Sequence, residues 1–165
     1  MDQIEVNLNK YLAIECILNE LFKEINYCLD CCIAKPGAFN FPNAGCCRNI
    51  YYTGYDIEHP AFDRLVSQRE ALYGKPSRRK WLKRISPCEY HSLSGCILKT
   101  HKSPVCLSFF CRDGIDFLRD RYHIYVYDYL GIHYALEWIL TGDLIEAAFE
   151  DFKKSCVEMV QKVKR

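Results

Sequence analysis

The chain has 165 residues, half of them apolar and 14% aromatic, which is enough to bury a core without several covalent staples. Its 22 basic residues face 21 acidic ones, for a net charge of +1, so no global field draws it to nucleic acid or to a membrane surface. No uninterrupted apolar run approaches the ~20 residues that span a bilayer, and the most apolar stretch, 132–140, is broken by His133 and Glu137 and reads as a core helix.

Ile4, Leu8, Tyr11, Ile14, Leu18, Leu21, Phe22 and Ile25 recur at helical spacing, with Glu5, Asn9, Lys10, Glu15, Asn19 and Lys23 between them. This predicts an amphipathic first helix ending near Asn26. From 28 to 55 the periodicity vanishes, and Pro36, Gly37, Asn40, Pro42, Asn43 and Gly45 predict an irregular loop. A second helix is expected over 58–73, where Phe62, Leu65, Val66, Arg69 and Leu72 make the stripe and Gly74 the stop. The stretch 87–112 is again turn-rich. Asp113-Gly114 opens a helix through Tyr122, and 123–140 reads as mostly helical despite the strand-favouring Tyr125, Val126, Tyr127 and Tyr129. In the last helix Asp143 is the expected N-cap with Glu146 three residues on, and Phe149, Phe152, Cys156, Met159 and Val163 form the apolar stripe. The expected fold class is mainly α, a single small helical domain over 1–165 with two irregular cysteine-rich segments.

Nine of the 11 cysteines fall in two groups: Cys28, Cys31, Cys32, Cys46 and Cys47, then Cys88, Cys96, Cys106 and Cys111. Thiolates are soft donors that take zinc or iron–sulfur clusters, and such centres need several of them converging from separated segments. Cys28-x-x-Cys31 is the spacing that lets two thiolates of one turn point at one ion. A disulfide framework is the alternative. The opening Met1-Asp2-Gln3-Ile4-Glu5 lacks a basic region followed by an apolar stretch and cleavage site, so the expected compartment is cytoplasmic, where thiols stay reduced. Cys16 and Cys156 lie apart from both groups and read as small buried hydrophobes.

The second cysteine group sits in a recognisable frame: Pro87-Cys88, Gly95-Cys96-Ile97-Leu98, Ser103-Pro104-Val105-Cys106, Phe109 and Cys111. With Gly45-Cys46-Cys47 and the helix after it, this resembles the YkgJ-like cysteine-cluster family, whose members carry a CxxCxxCC cluster followed by such a segment. The resemblance covers about 28–112. The chain departs from it in the 13 residues between Cys32 and Cys46, and in His101, Lys102 and Ser103, where the family has an arginine before the proline. The resemblance implies a metal centre, and relatives such as flagellin lysine methylases carry the module with an iron–sulfur cluster. Zinc is the alternative, since four thiolates suit either. Adjacent cysteines favour a cluster or two neighbouring centres, because consecutive side chains diverge.

Among five histidines, His91 and His101 lie with the second cysteine group and are candidates for a mixed Cys/His site, although hydrogen bonding beside the centre is the plainer reading. His59, His123 and His133 read as helix-start, interface and core residues. Lys75, Arg78, Arg79, Lys80, Lys83 and Arg84 around Trp81 form a basic run, read as a solvated face over a phosphate grip. Tyr51, Tyr52 and Tyr55 could shield a centre from water. Glycine-rich phosphate loops are absent. The composite expectation is a cysteine-ligated metal protein. It carries an iron–sulfur cluster for redox or partner-protein modification chemistry, or structural zinc in an interaction module, or a metal with an open coordination site. The partner is another protein, not nucleic acid or membrane.

Overall fold

Asp2 opens α1, Gln3–Ile25, in the computed structural model, which describes residues 2–33, 47–49, 58–75, 88–92 and 94–165, with the backbone alone for Cys32 and Ile33. The Asp2 carboxylate accepts from the Ile4 N–H at 3.2 Å, and Asn26 ends the helix in the left-handed region (φ 47°) with its N–H returned to the Phe22 carbonyl. Leu8, Tyr11, Ile14, Leu18, Leu21 and Ile25 are buried as the periodicity predicts. Two expectations for this helix fail. Glu15, placed by its charge on the solvent face, is 1% exposed, and Cys16, expected in the core, is exposed. At 100° per residue Glu15 belongs to the arc centred on Tyr11 and Leu18, and Cys16 turns onto the opposite face.

The expected irregular loop begins instead with a π-helical turn, Cys28–Ile33, so Cys28 and Cys31 stand on ordered helical backbone. Helix α2, Pro60–Tyr73, starts two residues later than expected, with proline at its first position, and the His59 ring nitrogen accepts from the Ala61 N–H at 3.2 Å. Ala61, Phe62, Leu65 and Arg69 are its buried face, whereas Leu72 in the last turn stays 61% exposed. A two-stranded antiparallel hairpin follows, β1 (His91–Ser92) with β2 (Gly95–Cys96), in the register His91↔Cys96 and Ser92↔Gly95. Neither it nor the short helix α3, Pro104–Ser108, was expected in the turn-rich stretch.

Helix α4, Arg112–Tyr122, ends at His123 in the left-handed region. The helix expected across 123–140 therefore does not run through. Residues 123–128 are neither helix nor strand, with Ile124 and Tyr127 buried while Tyr125 and Val126 are exposed. It restarts as α5, Tyr129–Thr141, where Asp128 accepts from the Gly131 N–H at 2.9 Å. Gly142 (φ 86°) stops it, and a Cβ there would lie 2.7 Å from the Asn7 amide nitrogen, which donates to the Leu140 carbonyl. The final helix α6, Glu146–Val163, is capped at Ile145 without a side-chain bond. Asp143, the expected cap, instead accepts from the Thr141 hydroxyl at 2.6 Å.

Helix α1 lies at the centre and packs against α2, α3, α5 and α6. Phe149, Cys156 and Val163 of α6 are buried against it as the stripe predicts, with Phe152 and Met159 partly so. Phe110 plugs one end, edge-on to Phe22, Tyr27 and Tyr127 at 5.7–5.9 Å. The described fold is mainly helical, and among the described residues no helix is long and apolar enough to cross a membrane.

Candidate metal centre

Seven of the nine grouped cysteines fall within the described side chains, on five short pieces of backbone; Cys46 and the side chain of Cys32 lie outside. Cys28 and Cys31 sit on the π-turn, which is tied to the end of α1 by the Asp30 N–H on the Asn26 carbonyl (3.1 Å) and the Asn26 amide on the Asp30 carboxylate (3.0 Å). This turn packs beside β2, which carries Cys96. Cys47 is tied to the second group. Its carbonyl accepts from the Cys88 N–H at 3.2 Å, and the buried Asn49 side chain accepts from the Glu89 N–H at 2.9 Å. The two cysteine groups are thus brought together through both β2 and Cys88.

Within the second group, Cys88 opens a tight turn in which its carbonyl accepts from the His91 N–H at 3.1 Å. His91 is the cross-strand partner of Cys96, so the two side chains leave the same face of the hairpin. Cys88, Cys96 and Cys106 pack around Tyr90 and Leu98. Burial pushes the Cys88 thiol up to about 12, and the nearby Cys106 and Cys96 add to that. Burial likewise raises Cys106, with Cys96 contributing. Cys111 has a different job, since its sulfur accepts from the Gly114 N–H at 3.4 Å and caps α4.

His101 does not offer a ligand. Its ring is 7% exposed, with Nδ1 against the Thr100 hydroxyl and Nε2 against the Gln68 amide oxygen, both at 2.9 Å. Burial, with the Arg69 charge, lowers its pKa. His133 pairs with Glu137 at 2.8 Å on α5, and His123 is exposed and stacks on Tyr125. Of the basic run, Lys75 is exposed; Arg78, Arg79, Lys80, Trp81, Lys83 and Arg84 lie outside the described residues, as do Tyr51, Tyr52 and Tyr55.

Cysteine sulfurs, once a metal displaces their protons, are the donors a thiophilic metal takes, and seven of them lie on the described backbone. Among the described residues, however, no three histidine, cysteine, aspartate or glutamate side chains stand close enough to hold one metal ion as placed. The converging backbone is therefore in place without a closed ligand set. No family model, no curated protein and no solved structure matches the chain.

Sequence reasoning missed the group that braces this region. Glu15, Asn19 and Tyr11 of α1, with Arg69 and Tyr73 of α2, all bond the backbone between Cys96 and Cys106. The available signal was a carboxylate inside an otherwise apolar helical arc.

Proposed function

We propose that this protein binds a metal centre through its grouped cysteines, with an iron–sulfur cluster as the resident group and redox or modification chemistry on a partner protein as its use. The observation that carries this reading is the convergence of cysteine segments distant in sequence. The π-turn of Cys28 and Cys31 lies beside Cys96, the Cys47 backbone is bonded to Cys88, and Cys88, Cys96 and Cys106 share one apolar cluster. A purely structural core has no need to gather cysteines from five short pieces of backbone. The resemblance to YkgJ-like proteins supports the cluster. When bound, such a group would supply one-electron chemistry, and the protein's residues would set its exposure and hydrogen bonding.

A second reading has an observation of its own. The tight Cys88–His91 turn and the cross-strand pair His91↔Cys96 put one histidine and two cysteines on one short hairpin, the donor types structural zinc uses, although as placed the three side chains do not surround one point.

Elemental analysis for iron and zinc, with a visible spectrum, on protein purified without oxygen separates the two. Iron with broad absorption near ~400 nm supports the cluster, and zinc in a colourless protein supports the structural site. Cys106→Ser is expected to lower metal content, and Cys16→Ser to leave it unchanged. Protein that holds neither metal after anaerobic purification and reconstitution refutes both readings.

A further inference from the structure

Between β2, which carries Cys96, and α3, which carries Cys106, the chain makes an arc over 99–103 whose backbone is held from outside. The N–H groups of Lys99 and Thr100 both donate to the Tyr73 hydroxyl at 3.0 Å. Those of His101 and Lys102 donate to the two carboxylate oxygens of Glu15, each at 2.8 Å. The carbonyls are taken as well: Lys99 by the Asn19 amide at 2.9 Å, His101 by Arg69 at 3.4 Å, and Lys102 by the Tyr11 hydroxyl at 2.7 Å. His101 sits at φ 61°, in the left-handed region. That turn aims successive N–H groups at one point, the concave arrangement that elsewhere receives an anion. Here the anion is internal, a side chain of α1 that is 1% exposed.

Putting a carboxylate in the apolar face of the longest helix costs desolvation that a leucine would not. The compensation is geometric, because two oxygens on one rigid helix define where two consecutive peptide units lie. Ser103, 0% exposed, continues the arc and caps α3 by accepting from the Cys106 N–H at 3.3 Å. The orientation of Cys106 is therefore set through an unbroken chain of bonds from Glu15.

We propose that Glu15 is a positioning residue for the cysteine centre, fixing the arc that separates Cys96 from Cys106 before metal arrives. This rests on the metal-binding reading above. Removing a positioning group behind metal ligands weakens binding by ~10–100-fold. Glu15→Gln keeps the shape but replaces one acceptor oxygen with a donor that opposes a backbone N–H.

The test measures Zn2+ affinity of the full chain by competition with a chromophoric chelator, with far-UV circular dichroism to verify the fold. Glu15→Gln is expected to bind Zn2+ ~10–100-fold more weakly than wild type. Val163→Ala, which opens a cavity in the main core in the last turn of α6, is expected to lose stability and keep wild-type affinity. Equal affinity of Glu15→Gln and wild type overturns the proposal, as does an equal loss in Val163→Ala. Should Glu15→Gln fail to fold, Asn19→Ala carries the test. Removing its bond to the Lys99 carbonyl should cost severalfold in affinity, and no change overturns the proposal. If wild type binds no Zn2+ but holds an iron–sulfur cluster, the same variants are compared by iron retained per chain, with the same expected order; if it holds neither metal, the metal reading falls first and this one with it, an outcome distinct from all the others.

Discussion

Tyr11→Phe isolates one bond of the arc. Tyr11 is fully buried in the central helix, and its hydroxyl donates to the Lys102 carbonyl at 2.7 Å. The substitution leaves the ring in place, so no cavity term enters, and the loss is that of one buried donor and the carbonyl it leaves unsatisfied, about 1–3 kcal/mol. The unfolding entropy of a chain of 165 residues is about 0.35 kcal/mol per degree at roughly 2.1 cal/mol/K per residue. A loss of about 2 kcal/mol therefore lowers Tm by about 6 °C. Thermal unfolding followed by circular dichroism, at fixed pH with excess chelator in both samples, reads this without a contribution from metal. Because Tyr11 and Glu15 bond adjacent peptide units, the double variant with Glu15→Gln should depart from additivity by at least about 0.5 kcal/mol. A Tm within about 1 °C of wild type would show that the arc is not held by these bonds and would remove the physical basis for a positioning role.

Two further outcomes follow from the packing. Burial raises the Cys156 thiol to about 12, so the folded state holds that proton more tightly than the unfolded chain, whose thiols titrate near ~8.5. Its contribution is complete below the unfolded value and is lost as pH climbs toward 12, the loss amounting to roughly 2.7 kcal/mol by pH ~10.5. Urea midpoints at pH ~8 and ~10.5 should show a shallower fall for Cys156→Ala than for wild type, whereas parallel slopes contradict it; Cys88, raised in the same direction, leaves a residual slope in both. Gly114→Ala places a Cβ 2.7–2.9 Å from three atoms of the Phe110 ring, which Phe22, Tyr27 and Tyr127 confine. Overpacking of about 1–3 kcal/mol should outweigh the ~1 kcal/mol of helix propensity gained, so Tm falls by a few degrees, and a higher Tm would show that the ring yields freely.

Where a helix packs one face on the core, its residues announced it. The stripes of α1 and α6 were legible because burial there selects apolar side chains at helical period, and the end of α2 was legible from Gly74. The errors cluster where a local signal met a tertiary one. Cys16 and Glu15 exchanged places because hydrophobicity was read by residue type, whereas burial follows angular position on a helix surrounded by four others. The helix expected through 123–128 failed because His123 takes a left-handed conformation that ends α4, a choice made by the packing of Ile124 and Tyr127. Asp143 is not the cap because the helix begins at Glu146, which makes Ile145 the cap residue, and the Asp143 carboxylate accepts from the Thr141 hydroxyl.

The sequence by itself determined the chemistry on offer: grouped thiols, a mainly helical chain, near-neutral charge. Those depend on residue identity and short-range period, which one strand of text carries in full. Only the tertiary structure decided which cysteine-bearing segments lie side by side. The π-turn that carries Cys28 and Cys31 packs on β2, which carries Cys96, and the Cys47 carbonyl is bonded to the Cys88 N–H. Glu15 could join the arc between Cys96 and Cys106 only after α1 and that arc were brought side by side, because its partners are backbone N–H groups, which every residue but proline possesses and no sequence pattern marks.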